Sequence, residues 1–78
     1  MLDAKAVGRA IQNAREKRGV SQEVLSSFAD IGRTHLSAIE CGTRRPTLDT
    51  FFKISEALDM RASDLMKLVE DELDDPRT

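Results

Sequence analysis

The sequence predicts an all-α fold, a compact domain of five helices, from three observations. Apolar residues recur at helical spacing in several stretches, as at Val7, Ile11 and Ala14. Ser21 and Thr47 each precede such a stretch, where a hydroxyl can accept a hydrogen bond from a free backbone N–H of the first turn. The chain has no Trp or Tyr and only three Phe, with 40% hydrophobic residues. This composition is typical of a small helical core built from Leu, Ile, Val and Ala.

The predicted helices can be placed in order along the chain. We expect them at about residues 3–18, 22–28, 32–41, 48–58 and 62–73. Gly19 is expected to close the first as a left-handed cap, and Gly42 to stop the third. The residues before Pro46 form a cationic loop, because proline lacks an N–H and pushes its predecessor out of the helical region. The first helix should expose Arg9, Glu16 and Lys17 to water, and the fourth should bury one apolar face, formed by Leu48, Phe51, Phe52, Ile54, Ser55 and Leu58.

The segment from Ser21 to Gly42 organises the rest, because it reads as two short helices joined by a tight turn. Asp30 stands at the bend, and Asp tolerates the left-handed backbone region better than most residues. The second short helix has two faces. Leu36, Ile39 and Glu40 share one face, and the other is small, polar and cationic, which suits a helix lying in the major groove of DNA; its residues are Arg33, Thr34, Ser37 and Ala38.

At 78 residues the chain is expected to form one domain with a thin core at about residues 3–69 and an acidic, frayed tail at 74–78. So small a core favours dimerisation. The fifth helix supports dimerisation, because its apolar residues cover more than the single face that would pack on the core. The predicted dimer interface consists of Leu65, Met66, Leu68, Val69 and Leu73.

Charge is distributed unevenly along the chain, although the net charge is only −2. Residues 1–45 carry eight Lys or Arg against five acids, whereas residues 46–78 carry four against nine. Such a domain would turn a basic side toward phosphate. Two ordinary solvated faces would give the same count, so charge alone leaves both interpretations open.

Several classes of protein are disfavoured. No apolar run is long enough to span a membrane and no export signal is expected at the start. The lone Cys41 precludes an internal disulfide or a cysteine metal framework, which favours the cytoplasm. With one His and one Cys and no glycine-rich phosphate loop, we expect neither an enzyme nor a cofactor, a metal or a small-molecule ligand.

Three motifs occur together: Arg15 followed by residues 19–25 (GVSQEVL), residues 39–42 (IECG), and residues 45–48 (RPTL). At these spacings they resemble the Xre-type helix-turn-helix family of phage repressors, Cro-like proteins and restriction-modification controller proteins, over about residues 5–69. The resemblance implies a lambda repressor-like domain that binds double-stranded DNA as a homodimer and regulates transcription. Two residues depart from the family pattern, Asp30 in place of Gly and Ser26 in place of Ala; the Ser26 hydroxyl is expected to bond back to a carbonyl of the previous turn.

The resemblance also implies residue roles. The base-reading residues would be Arg33, Thr34, Ser37 and Ala38, with Arg33 placed for a bidentate contact to guanine. Phosphate contacts would come from Gln22, Arg44, Arg45 and, with less support, His35. Arg15 and Glu40 would form a structural ion pair between the first and third helices.

A protein-interaction module or antitoxin-like subunit with the same fold remains the alternative, because the second half of the chain is acidic. The two hypotheses differ in one feature. If Gln22, Arg33, Arg44 and Arg45 lie on one surface, DNA binding is favoured.

Overall fold

The structure is a computed structural model that describes residues 2–75. Within this range it contains five helices and no strand, which confirms the predicted all-α class. The helices are α1 (Ala4–Arg18), α2 (Gln22–Ala29), α3 (Arg33–Glu40), α4 (Leu48–Ala57) and α5 (Ala62–Leu73).

The helix ends lie where the capping residues predict them. Ser21 Oγ accepts a hydrogen bond from the Val24 N–H at 3.1 Å, and Thr47 Oγ1 accepts one from the Thr50 N–H at 3.1 Å. Gly19 ends α1 in the left-handed region, with φ 71°. Local chemistry therefore accounts for these three helix ends before any tertiary packing is considered.

The turn between α2 and α3 is built by Asp30 in the predicted left-handed conformation, with φ 56° and ψ 47°. Its N–H points back to the carbonyls of Ser26 and Ser27, which closes the end of α2. The buried Ser26 hydroxyl donates to the Glu23 carbonyl at 3.1 Å, as predicted, so it is satisfied within its own helix. Neither departure from the family pattern disturbs the helix-turn-helix.

The core lies between α1 and the other helices: α1 packs along α5 and against α3, while α2 packs against α4 and α3. Its largest fully buried side chains come from all five helices: Ile11, Leu25, Leu36, Ile39, Ile54, Leu58, Leu65 and Val69. This arrangement holds α3 by its apolar face and leaves the opposite face free.

Gly8 marks the closest approach of two helices. A Cβ at this position would lie 2.5 Å from the Ile39 carbonyl oxygen and would also collide with the Glu40 carbonyl oxygen. Only a residue without a side chain lets α1 cross the carboxyl end of α3 at this distance.

Two predictions about side-chain burial need correction. Leu48 and Phe52 were expected to face inward, but they are 74% and 56% exposed, because only one edge of the α4 stripe reaches the core. Arg9 was expected to face water, but it lies half-buried with its Nε 3.7 Å from the carboxylate of Glu72 on α5.

The five apolar residues of α5 were predicted to face a second subunit, but they do not all lie on the surface. Leu65 and Val69 have no exposed surface, because they fill the core of the protomer itself. Met66 and Leu68 are half-buried, and Leu73 is 37% exposed. The first two therefore have no surface left with which to contact a second subunit.

After α5, the Asp74 N–H donates to the Glu70 carbonyl at 3.1 Å and the Asp75 N–H to the Glu72 carbonyl at 3.2 Å. The rest of the predicted frayed tail, residues 76–78, lies outside the described residues. Among helices in the described range, none is long and apolar enough to cross a membrane.

Candidate DNA interface

Helix α3 presents the small polar face that the sequence predicts. Leu36 and Ile39 are fully buried beneath it, and Glu40 is almost so. The opposite face lies in an open concavity that it shares with residues of α2 and of the loop after α3. We call this concavity the recognition surface; it is lined by Gln22, Arg33, Thr34, Ser37, Ala38, Cys41 and Thr43.

The loop after α3 is fixed by hydrogen bonds that converge on one carbonyl. The Ala38 oxygen accepts from the Thr43 N–H at 3.0 Å and from the Arg44 N–H at 3.3 Å. It also accepts from the Thr43 hydroxyl at 3.1 Å. Gly42, with φ 80°, allows the chain to fold back this far. Thr43 thus borders the recognition surface in a defined position.

Arg15 and Glu40 form a two-point ion pair between α1 and α3. Arg15 Nε donates to Glu40 Oε2 at 2.8 Å, and Nη2 donates to Oε1 at 3.0 Å. The third contact is from Arg15 Nη1 to the Val20 carbonyl at 2.9 Å, which ties in the segment before α2. The side chains are only 12% and 3% exposed, so the pair is held out of water.

The hydrogen bond to Glu40 raises the pKa of Arg15 above its ordinary value. A basic group whose pKa is raised by folding stabilises the folded state at every pH below its unfolded pKa, and this stabilisation is lost only as the pH rises past that value. Arg15 therefore remains charged across the neutral range. It does not make the free energy of unfolding depend on pH there.

Gln22 makes a contact that the sequence did not predict. Its Nε2 donates to Glu40 Oε1 at 2.9 Å, so Glu40 accepts from Gln22 as well as from Arg15. The side chain was expected to clamp a phosphate with its amide. In the structure, one of the amide hydrogens is already committed within the protein.

The remaining predicted phosphate residues fall in different places. Arg44 is exposed and follows Thr43 in the chain, but it is not among the residues that line the recognition surface. Arg45 lies away from it, against an apolar crevice with Leu48, and its Nη2 donates to the Leu2 carbonyl at 3.0 Å. His35 is half-buried on α3 and does not line the recognition surface.

Two residues of the recognition surface were not predicted. Cys41 is exposed at the end of α3, and Thr43 follows Gly42. The turn signal at Gly42 could have indicated that the chain folds back here, but helical periodicity assigns no face to residues beyond the helix. In the described part of the chain, no group of three or more His, Cys, Asp or Glu is arranged to hold a metal ion.

Comparison with known proteins agrees with this geometry. The family model described as helix-turn-helix matches residues 11–65, which is more than half of the chain. The chain belongs to this family of DNA-binding regulators, of the Xre-like and restriction-modification controller type.

Particular relatives are control proteins. The chain is 42% identical over 60 residues to control protein C.BamHI of Bacillus amyloliquefaciens. The matched segment covers 76% of this chain and 74% of that protein. It is 38% identical over 58 residues to control protein C.MunI of Mycoplasma sp., covering 74% and 78% respectively. The crystal structure of the restriction-modification controller protein C.AhdI from Aeromonas hydrophila superposes with a TM-score of 0.79 at 28% identity, over 83% of this chain and 98% of that one.

Proposed function

We propose that the protein is a sequence-specific transcriptional regulator that binds a palindromic operator as a homodimer, with α3 of each protomer in the major groove. The observation that carries this proposal is the recognition surface. Its side chains are short or flexible, and all except that of Ala38 can form hydrogen bonds; α3 is held from behind by buried Leu36 and Ile39. A helix so held can enter a groove without disturbing the core.

The arrangement of polar groups supports DNA over the alternative of an interaction module. Gln22 and Arg33 line one surface, and exposed Arg44 follows Thr43, which also lines it. Arg45 does not share this surface. If it contacts DNA, it would have to bind phosphates outside the stretch of groove that α3 occupies. Two of the four groups, Gln22 and Arg33, therefore share one surface, which supports DNA binding.

Arg33 is proposed as the main base reader. Its guanidinium can donate two parallel hydrogen bonds to O6 and N7 of guanine, a contact worth ~1–3 kcal/mol of discrimination. We expect Arg33→Ala to weaken operator binding by roughly ten- to a hundredfold and to relax the preference at one base pair per half-site. Fluorescence anisotropy with an operator selected from random duplexes, and with single-base variants of it, measures both effects.

Arg18→Ala is the matched control, because Arg18 lies outside the recognition surface and its Nη1 is 3.8 Å from the carboxylate of Asp59. It removes the same charge without removing a base contact, so its sequence preference should be that of the wild type. If Arg33→Ala leaves affinity and preference unchanged while the protein stays folded, Arg33 does not read bases.

The proposed dimer interface differs from the one expected from sequence. Leu48 and Phe52 lie one turn apart on α4, and Met66 of α5 lines the same apolar crevice as Leu48. We call these three residues the α4–α5 patch. A second copy of the chain is the proposed occupant, since a palindromic operator requires two protomers related by a two-fold axis and such an interface is formed by the same patch on both.

Substituting a charge into the α4–α5 patch tests this interface. We expect Phe52→Glu to lower the sedimentation mass from dimer to monomer at micromolar concentration, because two carboxylates would be buried near the axis. Phe28→Glu is the control, as Phe28 is 69% exposed on α2 and outside the patch. A Phe52→Glu protein that still sediments as a dimer would place the interface elsewhere.

A further inference from the structure

We propose that the amino end of α1 forms a second site for DNA phosphate, in which Lys5 acts together with Arg45 beside the recognition surface. The inference rests on the proposed function, because it assigns further contacts to the same ligand. It adds a cation that lies outside the sequence motifs. It also gives Arg45 a place on the DNA, although Arg45 does not line the recognition surface.

The loop after α3 is held against the amino end of α1 by two separate contacts. Gly42 packs so closely on Lys5 that a Cβ at position 42 would lie 2.7 Å from Lys5 Cγ and 2.9 Å from its Cα. Further along the loop, Arg45 Nη2 donates to the Leu2 carbonyl at 3.0 Å. These four residues therefore form one surface, which we call the α1–loop junction.

Both cations of the α1–loop junction are available to a ligand. Lys5 and Arg45 are exposed, and among residues 2–75 neither forms an ion pair. The bond to Leu2 uses only one of the five N–H groups of the Arg45 guanidinium. The neighbouring acid, Asp3, caps α1 by accepting from the Lys5 backbone N–H at 3.0 Å. Two cations beside one acid leave the junction positive.

The position of the α1–loop junction makes a phosphate the fitting ligand. Cys41 and Thr43 line the recognition surface, and Gly42, on which Lys5 packs, stands between them in the chain. A helix that enters the major groove has the phosphates of the two DNA strands on either side of it. Ammonium and guanidinium groups only donate hydrogen bonds and phosphate oxygens accept them, so the charges and the hydrogen bonds match.

The apolar crevice next to the α1–loop junction indicates which phosphates these are. Arg45 lines this crevice with Leu48 and Met66, two of the three residues of the α4–α5 patch. Because that patch is the proposed interface between the protomers, the junction lies on the side of α3 that is nearer the two-fold axis. The bound phosphate should therefore lie between the centres of the two half-sites and not at the outer ends of the operator.

The salt dependence of operator binding tests the contact. For Lys5→Gln, we expect the slope of log affinity against log salt to be shallower by about 0.9, the value for one phosphate contact on B-DNA. Raising the salt from about 50 to about 200 mM should then weaken the variant roughly threefold less than the wild type. The base preference should not change, since phosphates carry no sequence information. Arg45→Gln should show the same shallower slope at concentrations where sedimentation shows it to be dimeric.

Lys17→Gln is the matched control, because it removes the same charge from the same helix. Lys17 lines a separate concavity between α1 and α5, together with Asp71 and Glu72. Its slope should be that of the wild type, with circular dichroism to show that both variants are folded. A wild-type slope for Lys5→Gln would overturn the inference, and so would an equal change of slope in Lys17→Gln.

Neutral methylphosphonate groups locate the contact on the DNA. They replace the phosphates of a selected operator one at a time. We expect a phosphate between the half-site centres at which the replacement weakens wild-type binding several-fold but weakens Lys5→Gln no further. If every replacement affects both proteins equally, or if the phosphate that distinguishes them lies at an outer end, the inference is overturned and the proposed function stands. A wild-type protein that enriches no operator would instead refute the proposed function itself.

Discussion

Gly8→Ala is expected to lower the free energy of unfolding by about 3 kcal/mol, at the upper end of the usual cost of overpacking. The added methyl group would collide with the carbonyl oxygens of Ile39 and Glu40, which are backbone atoms and cannot rotate away as a side chain can. Helix α1 would have to separate from α3 to accommodate it. Alanine favours a helix over glycine by about 1 kcal/mol, and this gain offsets only part of the cost.

Urea denaturation followed by circular dichroism measures the change. Gly32→Ala is the matched control, because a Cβ at Gly32 would meet nothing within 4 Å and its φ of −67° suits any residue. We expect a smaller loss there, about 1 kcal/mol at most, because Gly32 is the N-cap of α3 and Ala is a poorer N-cap than Gly. An equal effect at both positions would show that α1 and α3 are not in close contact at Gly8.

Glu40→Ala is expected to destabilise the protein by about 3–5 kcal/mol, the range measured when one partner of a buried ion pair is removed. The substitution leaves the Arg15 guanidinium without its carboxylate at a site where the Arg15 side chain is 12% exposed. It also removes the acceptor of Gln22 Nε2. For a domain of this size, such a loss is a large fraction of the total stability.

The exposed pair between Lys67 and Asp71 on α5 provides the comparison. Their charged atoms are 3.5 Å apart, but the side chains are 74% and 58% exposed. Lys67→Ala should therefore cost no more than about 0.5 kcal/mol. If thermal and urea denaturation show that Glu40→Ala costs no more than Lys67→Ala, the buried network does not link α1, α2 and α3 as the geometry indicates.

Local signals predict much of this fold. Ser21, Thr47 and Gly19 mark helix ends because each acts within one turn of its own backbone. The left-handed conformation of Asp30 was predictable for the same reason, since a tight turn between two helices requires it. The two faces of α3 follow from helical spacing alone.

Features that depend on the distance between helices were not predictable in this way. Gly8 looks like a weak helix former in the sequence, and only the position of α3 gives it a role. The exposure of Leu48 and Phe52 depends on how much of α4 the neighbouring helices cover, which periodicity does not specify. Leu65 and Val69 were predicted to lie in a dimer interface, because the sequence does not show that α1 packs along α5.

In the candidate site, too, some features follow from local sequence and others from contacts between helices. The four predicted base-reading residues share one surface because they share one face of one helix. Gln22 comes from another helix, and its partner Glu40 lies 18 residues away in the chain. The orientation of its amide is a property of that tertiary contact, so the sequence indicates the residue without indicating which of its groups faces outward.

Selection of operators from random duplexes shows whether α3 reads DNA in a two-fold symmetric dimer. We expect enrichment of an inverted repeat whose half-site centres lie ~34–36 Å apart, and weaker binding as the salt concentration rises. Enrichment of no sequence, or of a single half-site bound by one protomer, would contradict this expectation.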